Sequence, residues 1–191
     1  MGLRQTPSQT VGPFFSKALI REGWNDLVAR GASGQPLVIA GRVLDGEGAP
    51  VPDALLEIWQ ANAAGRYDHP DDTRNTPLDS HFRGFGRAGT DEQGRFRFRT
   101  IKPGPVPGAG TSLQAPHINV SVFARGLLKR LVTRIYFPDE PLNAHDPVLN
   151  SLPDAARRAT LIARPADGKA EPVLHFDLVL QGDNETVFFD I

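Results

Sequence analysis

The chain has 191 residues, of which 40% are hydrophobic and 23% charged, with a net charge of −1 and a pI near 6.5. This composition is ordinary for a globular protein of one domain, and it gives no basic surface for binding nucleic acid or an anionic membrane. The absence of cysteine excludes disulfides, zinc ribbons, iron–sulfur clusters and thiol catalysis.

The amino-terminal 35 residues differ from the rest of the chain. The start, MGLRQTPSQTVGPFF, lacks the apolar core of a signal peptide, and no apolar run in the chain approaches the ~20 residues that cross a bilayer. We therefore expect a cytoplasmic protein that binds no membrane. Residues 6–15 are polar and contain proline, which predicts an extended arm. Residues 16–30 place Ile20, Trp24 and Leu27 at roughly helical spacing, which predicts a short helix that Gly23 weakens.

From Pro36 onward the sequence is typical of β-strands joined by tight turns. Strands are predicted at 36–45, 54–61, 94–100, 116–125, 130–137, 159–164, 173–180 and 186–191. About eight short strands predict an all-β fold, an antiparallel β-sandwich. We expect a single domain over 1–191, with the arm and helix in 1–35 and the sandwich in 36–191. Residues 61–94 and 102–115 are predicted to be irregular loops, and loops of that length are usually functional.

The stretch APHINVSV, residues 115–122, has the layout of a metal-binding strand that lacks one ligand. Alternation places His117, Asn119 and Ser121 on one face. A His-x-His pair would hold two imidazoles ~7 Å apart at their Cα atoms, close enough to converge on one metal ion. Here an amide replaces the second imidazole. The chain has no GxSxG, HExxH, P-loop or GxGxxG motif, so acyl transfer, zinc-protease and nucleotide chemistry have no support.

Three long runs resemble one enzyme family. They are EIWQANAAGRYDHPDD, PLDSHFRGFGRAGTDEQGRFRFRTIKPGPVP and APHINVSVFARGLLKRLVTRIYFPDEP. All three closely resemble the intradiol ring-cleaving dioxygenases, non-haem Fe(III) enzymes that open catechols between their two hydroxyls. The whole chain, from TPSQTVGPFF to NETVFFDI, looks like the α subunits of the family's α/β hetero-oligomers. The resemblance implies a complex that cleaves 3,4-dihydroxybenzoate with O2 to 3-carboxy-cis,cis-muconate in bacterial aromatic catabolism, with Fe(III) bound by the β partner.

The resemblance also implies that this chain has lost its own iron site. Catalytic chains of the family bind iron through two tyrosines and both histidines of an HIH motif. Tyr67 in GRYDH matches the first tyrosine, and His117 matches the first histidine. Val106 in KPGPVP stands in place of the second tyrosine, Asn119 in place of the second histidine, and Gln114 in place of a nearby arginine. We therefore expect no metal and no catalytic residue on this chain, although Tyr67 and His117 leave two alternatives open: a weak metal site or a neutral hydrogen-bonded pair.

Four residues are candidates for binding substrate. Arg134 lies in the predicted strand 130–137, where a charge indicates either a structural salt bridge or contact with an anion or partner. The resemblance implies that Arg134 faces the substrate carboxylate in a pocket shared with the β subunit. It also implies that the arm lies across the partner's iron site, with Gly12 and Pro13 lining the pocket and Thr10 nearby.

Two other functions stay open from the sequence. One is an iron dioxygenase that works without a partner, which would need ligands at Val106 and Asn119. The other is a β-sandwich binding or carrier module with no enzymatic role.

Overall fold

Two β-sheets make up most of the computed structural model, which describes residues 5–12, 14–167 and 171–190. The strands are β1 (Pro36–Leu44), β2 (Leu55–Trp59), β3 (Phe85–Gly89), β4 (Arg95–Ile101), β5 (Val106–Pro107), β6 (Leu113–Gln114), β7 (His117–Phe123), β8 (Leu131–Tyr136), β9 (Arg164–Ala166), β10 (Val173–His175) and β11 (Leu178–Val179). The helices are α1 (Phe14–Leu19) and α2 (Ala155–Ala159), with 3₁₀ turns at Pro141–His145 and Leu149–Ser151. None of the helices in this described part is long and apolar enough to span a bilayer.

The strand pairing confirms the predicted all-β sandwich and adds parallel pairs to it. One sheet is antiparallel throughout, with the order β3-β2-β7-β8. In the other, β1 pairs antiparallel with β4 but parallel with β10 and β11, and β9 joins the edge of β10. Strands β5 and β6 form a separate short hairpin.

The core lies between the two sheets and follows the alternation of the sequence. In β4, Phe96 and Phe98 are buried while Arg95 and Arg97 are exposed, as the period of two predicts. The core side chains of the four-stranded sheet include Leu56, Ile58, Ile118, Val120 and Ile135. Each such burial contributes ~1.5–3 kcal/mol. Because these residues point into the core, their neighbours along β2, β7 and β8 point out of the other face of the sheet.

The predicted short amino-terminal helix is present, but most of its predicted range, 16–30, is not helical. Helix α1 begins at Phe14, inside the predicted extended arm, and ends at Leu19. Gly23 has a φ of +75°, a left-handed conformation that ends any helix there. The chain beyond it forms β-bridges, pairing Asp26 with Arg99 and Val28 with Phe82, so its apolar side chains reach the core from extended backbone.

Several strand predictions near the loops and the carboxyl end are also wrong. Strand β3 lies inside the predicted loop 61–94, and the β5–β6 hairpin lies inside 102–115. In the predicted strand 159–164, residues 159–161 form the end of α2 and a turn, Ile162 makes one bridge to Tyr136, and β9 begins only at Arg164. Residues 186–190 form no strand. The predicted strand 173–180 is interrupted between β10 and β11, where the side chain of Asp177 accepts a hydrogen bond from the Arg42 backbone N–H at 2.8 Å.

Candidate functional site

The outward face of the four-stranded sheet forms the floor of a cavity of about 950 Å³. The register places Trp59 opposite Asn119, and Asn119 opposite Arg134, so three side chains from adjacent strands lie side by side on this face. On the same face, two residues away along each strand, His117 pairs with Tyr136. Loops and the β5–β6 hairpin supply further walls of the cavity, including Tyr67, Asp72, Arg74, Val106 and Gln114.

All four positions of the predicted metal-site remnant line this one cavity: Tyr67, Val106, His117 and Asn119. The imidazole of His117 is 3% exposed, and its Nδ1 donates a hydrogen bond to the Ala115 carbonyl at 2.7 Å. Burial, and then the charge of Arg134, lower the pKa of His117 to about 4. The imidazole is therefore neutral at pH 7, with its Nε2 edge left for other contacts.

Tyr67 is held as a neutral phenol. Burial raises its pKa above the usual value of 10.0, although the nearby charge of Arg134 opposes that shift. The amide of Asn119 donates weak hydrogen bonds to the Tyr67 hydroxyl at 3.5 Å and to the Trp59 carbonyl at 3.4 Å. The Tyr67 ring stacks on the indole of Trp59, with ring centroids 5.6 Å apart. Tyr67 and His117 thus lie in one cavity, but no hydrogen bond joins them within the described residues.

Arg134 supplies a cation that no carboxylate neutralises within the part of the chain that the structure describes. Its Nη1 donates to the side-chain oxygen of Gln114 at 2.7 Å and to the Tyr136 hydroxyl at 3.3 Å. Tyr136 in turn donates to buried Asp146 at 3.0 Å, and Asp146 also accepts from the Ala115 N–H at 2.7 Å. These contacts hold Nη1 of the guanidinium, and Nε and Nη2 make no hydrogen bond to the described residues.

The other charges of the cavity are mostly paired. Arg74 binds Asp72 through Nε at 2.7 Å and holds the pKa of that carboxyl far below its usual value. Glu57 accepts from Arg87 at 2.6 Å. The cavity lining therefore presents Arg134 as a restrained, uncompensated positive charge.

The predicted arm residues lie elsewhere. The Thr10 hydroxyl accepts a hydrogen bond from the Gly126 N–H at 2.7 Å, at the end of the β7–β8 connection. Gly12 is exposed, and a Cβ added to it would meet nothing within 4 Å. Pro13 is outside the described residues. Neither Thr10 nor Gly12 lines the cavity of this chain, and contact of the arm with a partner stays a prediction.

Comparison with known proteins decides the family. A family model described as "Dioxygenase" matches residues 11–182. The chain is 44% identical to the protocatechuate 3,4-dioxygenase alpha chain of Burkholderia cepacia, covering 99% of this chain and 98% of that protein. It is also 44% identical to the beta chain from the same organism, covering 80% of this chain and 67% of that one. The chain belongs to the intradiol ring-cleaving dioxygenase family. The membership predicted from the residues is confirmed.

Solved structures of dioxygenases share this fold. The dioxygenase domain of a carbohydrate-binding fusion protein from Streptomyces sp. SirexAA-E has a TM-score of 0.63 and 32% identity, covering 83% of this chain and 87% of that one. Hydroxyquinol 1,2-dioxygenase from Pseudomonas putida DLL-E4 has a TM-score of 0.64, covering 94% of this chain and 63% of that one. Its sequence identity is 20%, so this similarity shows only that the two proteins share a fold.

The intradiol dioxygenases depend on non-haem iron, and the donor set of this chain does not fit that ion. Fe(III) requires hard anionic donors, whereas the four ligand positions hold one phenol, one imidazole, a neutral amide and the aliphatic Val106. Across the described ranges, no cluster of three or more His, Asp or Glu side chains could hold a metal instead.

Sequence reasoning did not find two features of this site. The first is the hydrogen bond by which Gln114 on β6 restrains Arg134 on β8. The second is the hydrogen bond from Tyr136, which also contacts Arg134, to Asp146. The alternation along RLVTRIYF places Tyr136 and Arg134 on one face, so their proximity could have been predicted from the sequence.

Proposed function

We propose that this chain is the α subunit of a hetero-oligomeric protocatechuate 3,4-dioxygenase. The complex cleaves 3,4-dihydroxybenzoate with O2 to 3-carboxy-cis,cis-muconate, and we place it in the cytoplasm. One observation carries the proposal: the four positions that the resemblance assigns to metal ligands line one cavity, and Val106 and Asn119 occupy two of them. The near full-length similarity to two protocatechuate 3,4-dioxygenase alpha chains supports the proposal. The similar beta chain is an example of the kind of partner that we propose.

In this proposal the partner β subunit would hold the Fe(III), and the metal would supply the Lewis acidity that makes a catechol ring reactive toward O2. This chain contributes no catalytic residue. Its part is to recognise the carboxylate at the opposite end of the substrate, and Arg134 is the residue that does so. A carboxylate removed from water without a paired cation costs several kcal/mol, and the free edge of a guanidinium can meet both of its oxygens.

The amino-terminal arm is the second contribution to the partner's pocket. Thr10 is fixed to its own chain at Gly126, and the following Gly12 is exposed with open space around it. A glycine allows close approach of the backbone to a ligand, and Pro13 keeps the adjoining backbone stiff. We propose that Thr10, Gly12 and Pro13 lie at the edge of the partner's iron site.

Co-expression with a β-type chain tests this function. The purified complex should take up O2 in proportion to added protocatechuate and form the ring-opened dicarboxylate, while this chain alone should do neither. The β chain expressed alone is the control for activity that needs no α subunit. Failure of the two chains to co-purify, or an iron-loaded complex without protocatechuate-dependent O2 uptake, would contradict the proposal and favour a non-enzymatic binding module.

A further inference from the structure

We infer that the cavity of this chain is by itself a metal-free binding site for a hydroxylated aromatic carboxylate. The inference deepens the proposed function and rests on it only for the choice of protocatechuate as the ligand. It concerns the isolated chain, where the hydroxyls of the ligand contact side chains of this chain and not the iron of the partner.

The first step is the cation. Both hydrogen bonds that the Arg134 side chain donates to described residues come from Nη1, one to Gln114 and one to Tyr136. Gln114 is itself fixed, since its Nε2 donates to the Pro107 carbonyl at 3.1 Å. A guanidinium restrained on one edge loses little further conformational entropy when its other edge binds an anion. Nε and Nη2 are the two parallel donors that a bidentate carboxylate requires.

The second step is the aromatic wall. Trp59 and Tyr67 form a stacked pair, with ring planes 14° apart, and Phe85 packs against Trp59 with ring centroids 6.4 Å apart. All three rings line the cavity that contains Arg134. A flat aromatic ligand can pack on this surface, gaining ~0.5–1.5 kcal/mol per ring contact beyond its buried area.

The third step is the end of the cavity lined by the positions that the family resemblance assigns to metal ligands. Here Tyr67, Asn119 and His117 line the cavity, and the Asn119 amide contacts the Tyr67 hydroxyl. The two hydrogen bonds donated by Asn119 are long, at 3.4 and 3.5 Å, so a ligand hydroxyl can replace them at little cost. These groups suit the phenolic hydroxyls of a ligand and need no ion.

The acidic side chains of the lining do not oppose an anion strongly. Asp72 and Glu57 are each bound to an arginine, Arg74 and Arg87. Asp71 is exposed at the edge of the cavity, 3.7 Å from the His69 ring. Arg130 also lines the cavity but from an exposed position, so Arg134 is the partly buried cation that a carboxylate meets inside it.

Calorimetric titration of the isolated, metal-free chain with protocatechuate tests the inference, with quenching of Trp59 fluorescence as a second signal. We expect saturable binding, and catechol, which lacks the carboxylate, should bind at least ~10-fold more weakly. Arg134→Ala should weaken protocatechuate binding ~10- to 150-fold and abolish the preference over catechol. Arg134→Lys keeps the charge without the planar fork and should give an intermediate loss. Thermal unfolding of each variant shows that it is folded.

The matched control is Arg97→Ala, which removes the same charge from an exposed position on β4, in the other sheet and outside the cavity. It should leave both affinities unchanged. The absence of saturable protocatechuate binding, equal affinity for catechol, or equal losses in the Arg97 and Arg134 variants would overturn the inference. An isolated chain that does not bind, beside an active α/β complex, would overturn this inference alone. Binding by the isolated chain beside an inactive complex would overturn only the proposed function.

Discussion

Acidification should destabilise this protein through His117. The folded-state pKa of His117 is about 4, against an ordinary value of 6.5, mainly because the ring is buried. The unfolded chain therefore takes up a proton below pH 6.5 that the folded chain does not accept until about pH 4. The free energy of unfolding should fall as the pH drops from 7 to 4.5, by roughly 2–3 kcal/mol at 1.36 kcal/mol per pKa unit.

Urea unfolding at a series of pH values between 7 and 4.5 measures this loss. His117→Asn keeps an N–H donor for the Ala115 carbonyl but does not titrate, so most of this pH dependence should disappear in that variant. His69→Asn, whose side chain is 53% exposed in the native protein, is the control and should keep the wild-type slope. A His117→Asn variant with an unchanged slope would refute the reasoning.

Three other perturbations have defined outcomes. In the α/β complex, Arg134→Ala should raise KM for protocatechuate ~10- to 150-fold at unchanged iron content, measured by O2 uptake; an equal loss with catechol would show that Arg134 is only structural. Val106→Tyr with Asn119→His should restore at most partial iron binding, because ~1 Å of misplacement spoils a metal site; full ferric occupancy by elemental analysis would contradict this. Gly41→Ala puts a Cβ 1.8 Å from the Phe176 carbonyl oxygen and should lower the free energy of unfolding by ~1–3 kcal/mol; an unchanged urea midpoint would contradict it.

The strands that carry the site were predictable because their side chains alternate. Ile118 and Val120 are buried in the core, and His117 and Asn119 are on the opposite face, as the period of two requires. Strand β3 was not predictable, because its sequence FGRAG has glycines at its second and fifth positions and no apolar alternation. It is a strand because it pairs with β2, and because Gly86 admits close contact with Leu27.

The cavity depends on contacts that periodicity cannot show. Tyr67 comes from a loop and Val106 from the β5–β6 hairpin, and only resemblance to the family placed them beside His117. Gln114 restrains Arg134 from 20 residues away because β6 directly precedes β7 and β7 pairs with β8, a fact of topology rather than of local sequence.

The iron content of the purified chain, alone and after co-expression with a β chain, tests the central claim most directly. Elemental analysis and the visible spectrum of the same samples give the answer. The chain alone should contain no stoichiometric iron and show no tyrosinate-to-Fe(III) absorption, while the complex should contain iron in proportion to its β chain. A coloured chain that holds a near-stoichiometric ferric ion without its partner would contradict the account.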